Sequence, residues 1–593
     1  MTETLKIKTS PTEIFKEYEQ ANTFKASIGT LGIFEQTKMN ERFYVGDQWY
    51  GAQCGNSRPL VRNNIIKRIG DYKIATVGAA PIAVNYSADG VPNTADIKSE
   101  AADLRARMMN GEAKLPSGAP DVVEVSVITE AMSNYFKVSS ERVKFDIKAE
   151  QALRNAYISG TAVAYTYWDG EIKTGLYADE GRTTPINGDI AFEILDVENV
   201  SFGDPNSEDV QRQPYILLAQ RMDVEAVRRE AKKNGLSVDD IVPDGATHYN
   251  SGDRGEAEPN DSRRVTVITK LYKEWSEDAK TYTVMAVKVT EKAIVREPWV
   301  TGLSLYPIAV FHWERRRSSA YGDSEITYLI PNQIALNRMY VSEIWSGLNH
   351  GMPKMLVNGN IINEKITNDP GQIVKVLPDA ENPANSAIQY VSPPPWATQY
   401  LNAINDLANN TLTSAGANDA ALGNIKPDNA AAIIQAREAS LQPMQIFQNR
   451  YYAFIEDIAR IWAEFWIRKY GNRLLKVETR NGTEYIPFKA DRYEDLVLTA
   501  RVDVGASTLW SEAVVISTLD SLFGAQAINL VQYLERLPKG LIPKVGELID
   551  DIKQENEAQT ENQQNTDNKL RQFAEMYPDE YSALMQLPPE QQE

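Results

Sequence analysis

The sequence predicts an α+β chain, mainly helical and built from several structural units. Three observations carry this. At 593 residues the chain is too long for one hydrophobic core. Apolar residues recur at threes and fours over 326–348 and 433–465, the spacing of a helix face. Short runs rich in β-branched and aromatic residues gather at 162–194 and 265–311.

Along the chain, Asn63 or Asn64 is placed to cap a helix opening at Ile65. Helical spacing continues through Ile128, Ala131, Tyr135, Ala149, Leu153 and Ala156. After Gly160 the run Ala162–Trp168 reads as a strand, and Asp169-Gly170 as a turn. A second strand pair brackets Asn187-Gly188, and Phe202-Gly203-Asp204-Pro205 closes the unit with a turn. A short helix is expected over 223–234, then a polar, mobile loop over 243–263. Strands at 265–269, 282–287 and 306–311 form a β unit. The helix over 326–348 contains Pro331, which either kinks it or opens its main segment. A β excursion is expected near 372–377, then a helix from Trp396 to about Thr413. Small residues dominate 414–428, and a helix of about 40 residues follows, roughly 60 Å long at 1.5 Å per residue. Pro443 should kink it. Helices broken at Pro538 and Pro543 lead to a polar, partly disordered tail after Gln554.

Composition excludes several functions. A formal net charge of −19 argues against tight nonspecific binding to the phosphate backbone of DNA, although acidity also serves solubility alone. The first 15 residues lack an apolar core, so no secretory signal is expected, and no apolar run approaches a membrane span. A single cysteine, Cys54, allows neither an internal disulfide framework nor a multi-cysteine zinc site. No Gly-Lys dipeptide occurs, so the Lys-bearing phosphate loop of ATPases is missing. There is no His-Glu-x-x-His and no Gly-x-Ser-x-Gly. None of His248, His312 and His350 has metal-ligand spacing to a second His or Cys, and acidic pairs such as Asp239-Asp240 read as solvated faces. No catalytic residue, metal or cofactor is expected. Arg315-Arg316-Arg317 is the densest basic run, and reads equally as a nucleic-acid or acidic-partner contact and as a solvated connection.

The order of several segments resembles the portal proteins of tailed bacteriophages, the head-to-tail connectors. Phe43-Tyr44-Val45-Gly46-Asp47-Gln48-Trp49 is similar to their Tyr-x-Gly-Asp-Gln-Trp stretch, and Gly203-Asp204-Pro205 to their Asp-Pro segment. Tyr306-Pro307-Ile308, Gly322-x-Ser324 and Gln333-x-x-x-Asn337 resemble the passage from clip into stem helix. Asp503-Val504-Gly505-Ala506-Ser507 with Tyr533-Leu534-Glu535-Arg536 is similar to a late portal segment. Asp428-Asn429-Ala430-Ala431 stands where many portals show Ser-Gly-x-Ala, so the resemblance does not fix where the preceding loop ends.

The resemblance implies a structural, non-enzymatic ring subunit with wing, stem, clip and crown regions. The ring, usually of twelve copies, would assemble in the host cytoplasm and occupy one capsid vertex of the virion. Double-stranded DNA would pass through it. The terminase large subunit and then a tail adaptor would dock on it, with major capsid and scaffolding proteins as neighbours and no membrane contact. On this reading 1–221 is an N-terminal wing, 222–263 a descending stem helix with the mobile loop, and 264–312 the β-rich clip. Residues 313–350 form the ascending stem helix, and 351–475 a wing with a tunnel loop at about 414–428 and a long helix over 429–470. The crown region is 476–553 and the tail 554–593. Asn418, Asn424, Ile425 and Lys426 are the expected tunnel-loop contacts to DNA, because polar tips and one lysine per copy touch phosphates without gripping them. Lys270, Lys273 and Glu274 are the expected exposed charges of the docking surface. The alternative is another virion structural protein, a capsid or scaffolding component.

Overall fold

Helix starts follow the capping residues. The Asn64 side chain accepts from the Lys67 amide at 3.0 Å, Asp121 from Glu124 at 2.7 Å, and Asp223 from Glu225 at 2.9 Å. The computed structural model describes residues 9–50, 60–79, 82–88, 95–109, 120–177, 185–244, 263–277, 280–350, 354–362, 364–367, 373, 375–377, 387–391, 398–417, 430–479, 482–494, 496–503, 509–537, 545, 548–549 and 552. The helices are α1 (Pro11–Ser27), α2 (Gly32–Val45), α3 (Ile65–Val77), α4 (Ala95–Met109), α5 (Val122–Val143), α6 (Phe145–Ser159), α7 (Val224–Lys233), α8 (Glu325–His350), α9 (Thr398–Ser414), α10 (Ala430–Lys469), α11 (Leu509–Gly524) and α12 (Leu530–Arg536). The strands are β1 (Ala83–Ala88), β2 (Thr161–Tyr177), β3 (Pro185–Asp196), β4 (Val200–Phe202), β5 (Tyr215–Asp223), β6 (Arg264–Ser276), β7 (Thr281–Val289), β8 (Ile294–Val300), β9 (Ile308–His312), β10 (Lys354–Val357), β11 (Ile388–Val391), β12 (Asn472–Thr479), β13 (Gly482–Lys489) and β14 (Leu498–Asp503). The fold is mixed α/β and helix-rich, as the sequence predicts.

The described residues divide into two units. One takes those within 1–79, 83–477 and 485–502; the other takes those within 80–82, 478–484 and 503–593. In the second unit α11 and α12 form a small helical pair. Tyr533 donates to Asp520 at 2.6 Å and stacks obliquely on Phe523, and Asn529 with Gln532 forms a reciprocal cap.

The first unit is built around two antiparallel sheets. One has strand order β4-β5-β6-β7-β8, the other β3-β2-β9. Alternation along β6 divides its faces. Ile268 and Tyr272 pack with Leu217 and Val287 under Ile14, Phe15 and Tyr18 of α1. Val265 and Val267 face the other way, against Val224, Val227 and Ala231 of α7. Helix α10 supplies the centre of the other core. Trp462 is fully buried, with ring centroids 5.1 Å from Phe136, 5.6 Å from Phe145 and 5.7 Å from Phe192. Its indole N–H donates to Thr166 Oγ1 at 3.2 Å. Below it, buried Asp189 accepts from the Tyr470 hydroxyl and pairs with Arg142.

Four sequence expectations are corrected. Asp169-Gly170 is not a turn: β2 continues to Tyr177, with its pairing to β3 shifted between Asp169 and Lys173. Nor does Gly188 turn the chain. It lies inside β3 at φ +94°, where a Cβ would come within 2.8 Å of the Trp168 ring, so this glycine makes room for an indole. The segment 264–312 is not a self-contained β unit. β5 pairs with β6 from Tyr215 to Asp223, and β9 leaves that sheet to pair with β2, Ile308 opposite Tyr165. The β excursion lies at β10 and β11, paired Lys354 opposite Val391, while 373 and 375–377 carry no strand.

Candidate functional site

Several of the segments that carry the resemblance, those at 46–48, 204–205, 322–324 and 333–337, meet around the root of α8. Gly46 ends α2 in the left-handed region and lets Asp47 and Gln48 fold back. The Gln48 side-chain oxygen Oε1 then accepts from Asn337 Nδ2 at 2.7 Å, and Asn337 Oδ1 accepts from Gln333 at 3.0 Å. Gln333 also donates to the Asn63 carbonyl at 2.7 Å and accepts from the Ile65 amide at 3.0 Å, holding the start of α3. Both amide side chains on α8 are buried, so each bond replaces one lost to water. Just before α8, the Gly322 amide donates to Thr161, and a Cβ there would come within 2.6 Å of the Gly160 carbonyl oxygen. Ser324 donates to the Tyr157 carbonyl at 2.6 Å. Asp204-Pro205 joins the same region: Gln213 accepts from the Asp204 amide, and Ala320 donates to the Pro205 carbonyl.

Sequence reasoning missed the charges at this root. Buried Lys73 of α3 pairs with Glu325 at 2.6 Å, and Glu325 also accepts from the Trp313 indole at 3.2 Å. A signal was present: Lys73 stands in the apolar stripe Ile66, Ile69, Val77 of α3. Burial and the charge of Glu325 push the nearby Glu314 carboxyl up. His312, at the end of β9, lies 3.2 Å from Thr161 Oγ1; burial, then Arg315 and Arg450, lower it to about 4. Folding therefore keeps His312 neutral while the unfolded chain protonates it near 6.5. Its contribution is present above pH 6.5 and is lost as pH falls towards 4. At about 1.4 kcal/mol per unit the loss is up to about 3 kcal/mol. In urea unfolding at pH 7 and pH 4.5, His312→Asn should shrink the drop between the two. An unchanged drop rules His312 out as its source.

From this root α8 loses burial along its length. Ile326, Leu329, Ile330, Leu336 and Asn337 are buried, but no described residue from Arg338 to Leu348 is. α9 returns antiparallel: Asn332 reaches Thr411 at 3.3 Å, and Tyr400 donates to the Met339 carbonyl at 3.4 Å. Between the helices lies the β10–β11 ribbon with a small core of Ile361, Ile362 and Ala387. Large apolar side chains along this arm face solvent, including Ile344, Leu348 (67% exposed), Leu356 and Ile373 (85% exposed). These side chains recur on the successive elements of one arm rather than standing singly.

The expected docking charges do not form an exposed set. Lys270 is 1% exposed; its ammonium pairs with Glu17 of α1 at 2.7 Å and lies over the Tyr215 ring. Even positions of β6 point under α1, and Lys270 is one of them. Lys273 is half-buried, donating to the Gln211 carbonyl at 2.8 Å over the Tyr306 ring. Glu274 is exposed. Asn418, Asn424, Ile425 and Lys426 lie outside the described residues, as do His248, Cys54 and the tail after Ile552. Their flanks are the expected ones, α9 before and α10 after. Of the basic run, Arg316 pairs with Asp323 at 2.5 Å across the β9–α8 connection, while Arg315 and Arg317 are exposed.

Among the described residues no cluster of three His, Cys, Asp or Glu side chains could hold a metal ion. No described helix is long and apolar enough to cross a membrane. No protein-family model matches the chain, and no curated protein matches it.

Proposed function

We propose that the chain is a portal-type subunit, a structural protein whose copies form a closed ring at a capsid vertex for passage of double-stranded DNA. The observation that carries this reading is the arm: two antiparallel helices joined by a β ribbon, rooted in the residues of the resemblance and exposing apolar side chains that a single copy leaves wet. The order α8, ribbon, α9, residues 418–429, α10 matches the stem, clip, stem, tunnel loop and long helix that the resemblance implies. The clip then falls at the β10–β11 ribbon rather than at 264–312, because the strands of 264–300 are held inside a sheet between α1 and α7. Terminase and tail adaptor dock on the ribbon, and Asn418, Asn424, Ile425 and Lys426 meet the DNA. Negative-stain images of the purified chain should show rings with a central hole. Shells, fibres or a monomer at every concentration would overturn the proposal.

A further inference from the structure

A cleft of about 790 Å3 opens between the two sheets of the first unit, within the size range of ligand pockets. Tyr165 and Tyr167 stack along its β2 wall at 5.4 Å. Its carboxylates Glu193, Glu230 and Asp196 are engaged: Tyr167 donates to Glu193 at 2.8 Å, Lys288 pairs with Glu230 at 2.7 Å, and Asn155 donates to Asp196 at 3.3 Å. Two cations at one lip are not so matched. Arg296 lies over the Trp299 ring at 3.9 Å, and Lys469 ends α10 beside it. Neither has an ion pair among the described residues, and burial together with Arg296 lowers the Lys469 ammonium. A site with two unmatched cations beside aromatic walls calls for an acidic, aromatic occupant.

The exposed tip of the β6–β7 hairpin has that chemistry. Trp275 and Tyr282 pack edge-on at 5.1 Å and are 46% and 56% exposed, an unusual state for two large aromatics. Exposed Glu277 follows at the turn, and exposed Glu274 stands on the opposite face of the tip, so a tip that enters a cleft presents both. The tip cannot fill its own cleft. Thr269, Leu271, Ala286 and Lys288 line the cleft, so alternation puts Trp275 and Tyr282 on the same sheet face. Four residues from Ala286 to Tyr282 carry the ring about 13 Å along that face.

We infer that the β6–β7 tip of one copy seats in the cleft of a neighbouring copy, Trp275 and Tyr282 against its aromatic wall and Glu274 and Glu277 towards Arg296 and Lys469. Tip and cleft are different patches, so the contact is heterologous and repeats from copy to copy, closing where its rotation closes. It adds a second contact to the proposed ring and rests on that reading only for closure.

The test uses the full chain carrying Cys54→Ser. Chains with Glu277→Cys are mixed with chains with Arg296→Cys and mildly oxidised. A disulfide between the two variants is expected, in excess over disulfides within either. In sedimentation, Arg296→Glu with Lys469→Glu should raise the assembly midpoint at least tenfold. Glu274→Lys with Glu277→Lys should do the same, and combining all four should recover most of the loss. Rings that form with normal midpoints in both charge variants, without the mixed disulfide, overturn the contact and leave the ring standing. A mixed disulfide without any closed ring upholds the contact and overturns the ring. Loss of duplex-oligonucleotide binding in Arg296→Glu with Lys469→Glu, assembly unchanged, reassigns the cleft to DNA and overturns the inference.

Discussion

In the proposed ring, replacing Ile344 and Leu348 with aspartate should abolish assembly at concentrations where the unaltered chain is expected to assemble. The two residues are one helical turn apart on α8, in the stretch beyond Asn337 where no described residue is buried. Fully burying an exposed aliphatic side chain of this size contributes about 1.5–3 kcal/mol, and since Ile344 is 37% and Leu348 67% exposed, the pair together contributes about that much per contact. Aspartate removes that and adds a charge that must be desolvated. The assembly midpoint should rise more than a hundredfold in sedimentation or native mass spectrometry. Folding of the single copy should barely respond, because exposed substitutions away from special features change stability within about 0.5 kcal/mol. A variant that assembles normally would place the ring contact away from the arm.

Local chemistry made much of this architecture legible. Asn64 and Asp223 cap the helices that their side chains announce, and the β-branched runs of β6 and β7 form a paired hairpin. What failed depends on long-range pairing. Gly188 carries a turn signature, yet its environment is the Trp168 indole, 20 positions earlier across a bulged ladder. Lys270 looks like a surface charge until α1, some 250 residues earlier, brings Glu17 over it. The ribbon strands β10 and β11 are four residues each, too short for periodicity to mark them. The segments around Gln48, Ser324 and Gln333 read as separate fragments in sequence. Their meeting at α8 through Gln48, Asn337 and Gln333 depends on residues nearly 290 positions apart.

The apolar stripe of α10, read in the sequence as the spacing of a helix face, could serve folding or association. Met444, Tyr451, Ile455, Ile458, Trp462 and Phe465 are buried within the chain. Trp462→Ala should therefore destabilise the single copy rather than only weaken assembly. Truncating a large buried aromatic costs about 3–5 kcal/mol in lost transfer energy and residual cavity. Here it also withdraws contacts from Phe136, Phe145 and Phe192 and leaves Thr166 Oγ1 without its indole donor. Trp462→Phe keeps most of the ring contacts and loses the N–H, so its cost should be smaller, about 1–2 kcal/mol. Urea unfolding followed by circular dichroism, at concentrations where the chain is monomeric, separates the cases. A loss under about 1 kcal/mol for Trp462→Ala would mean that α10 is not the centre of the core. A full loss, beside arm variants that fold normally and fail to assemble, assigns α10 to folding and α8 with its ribbon to association.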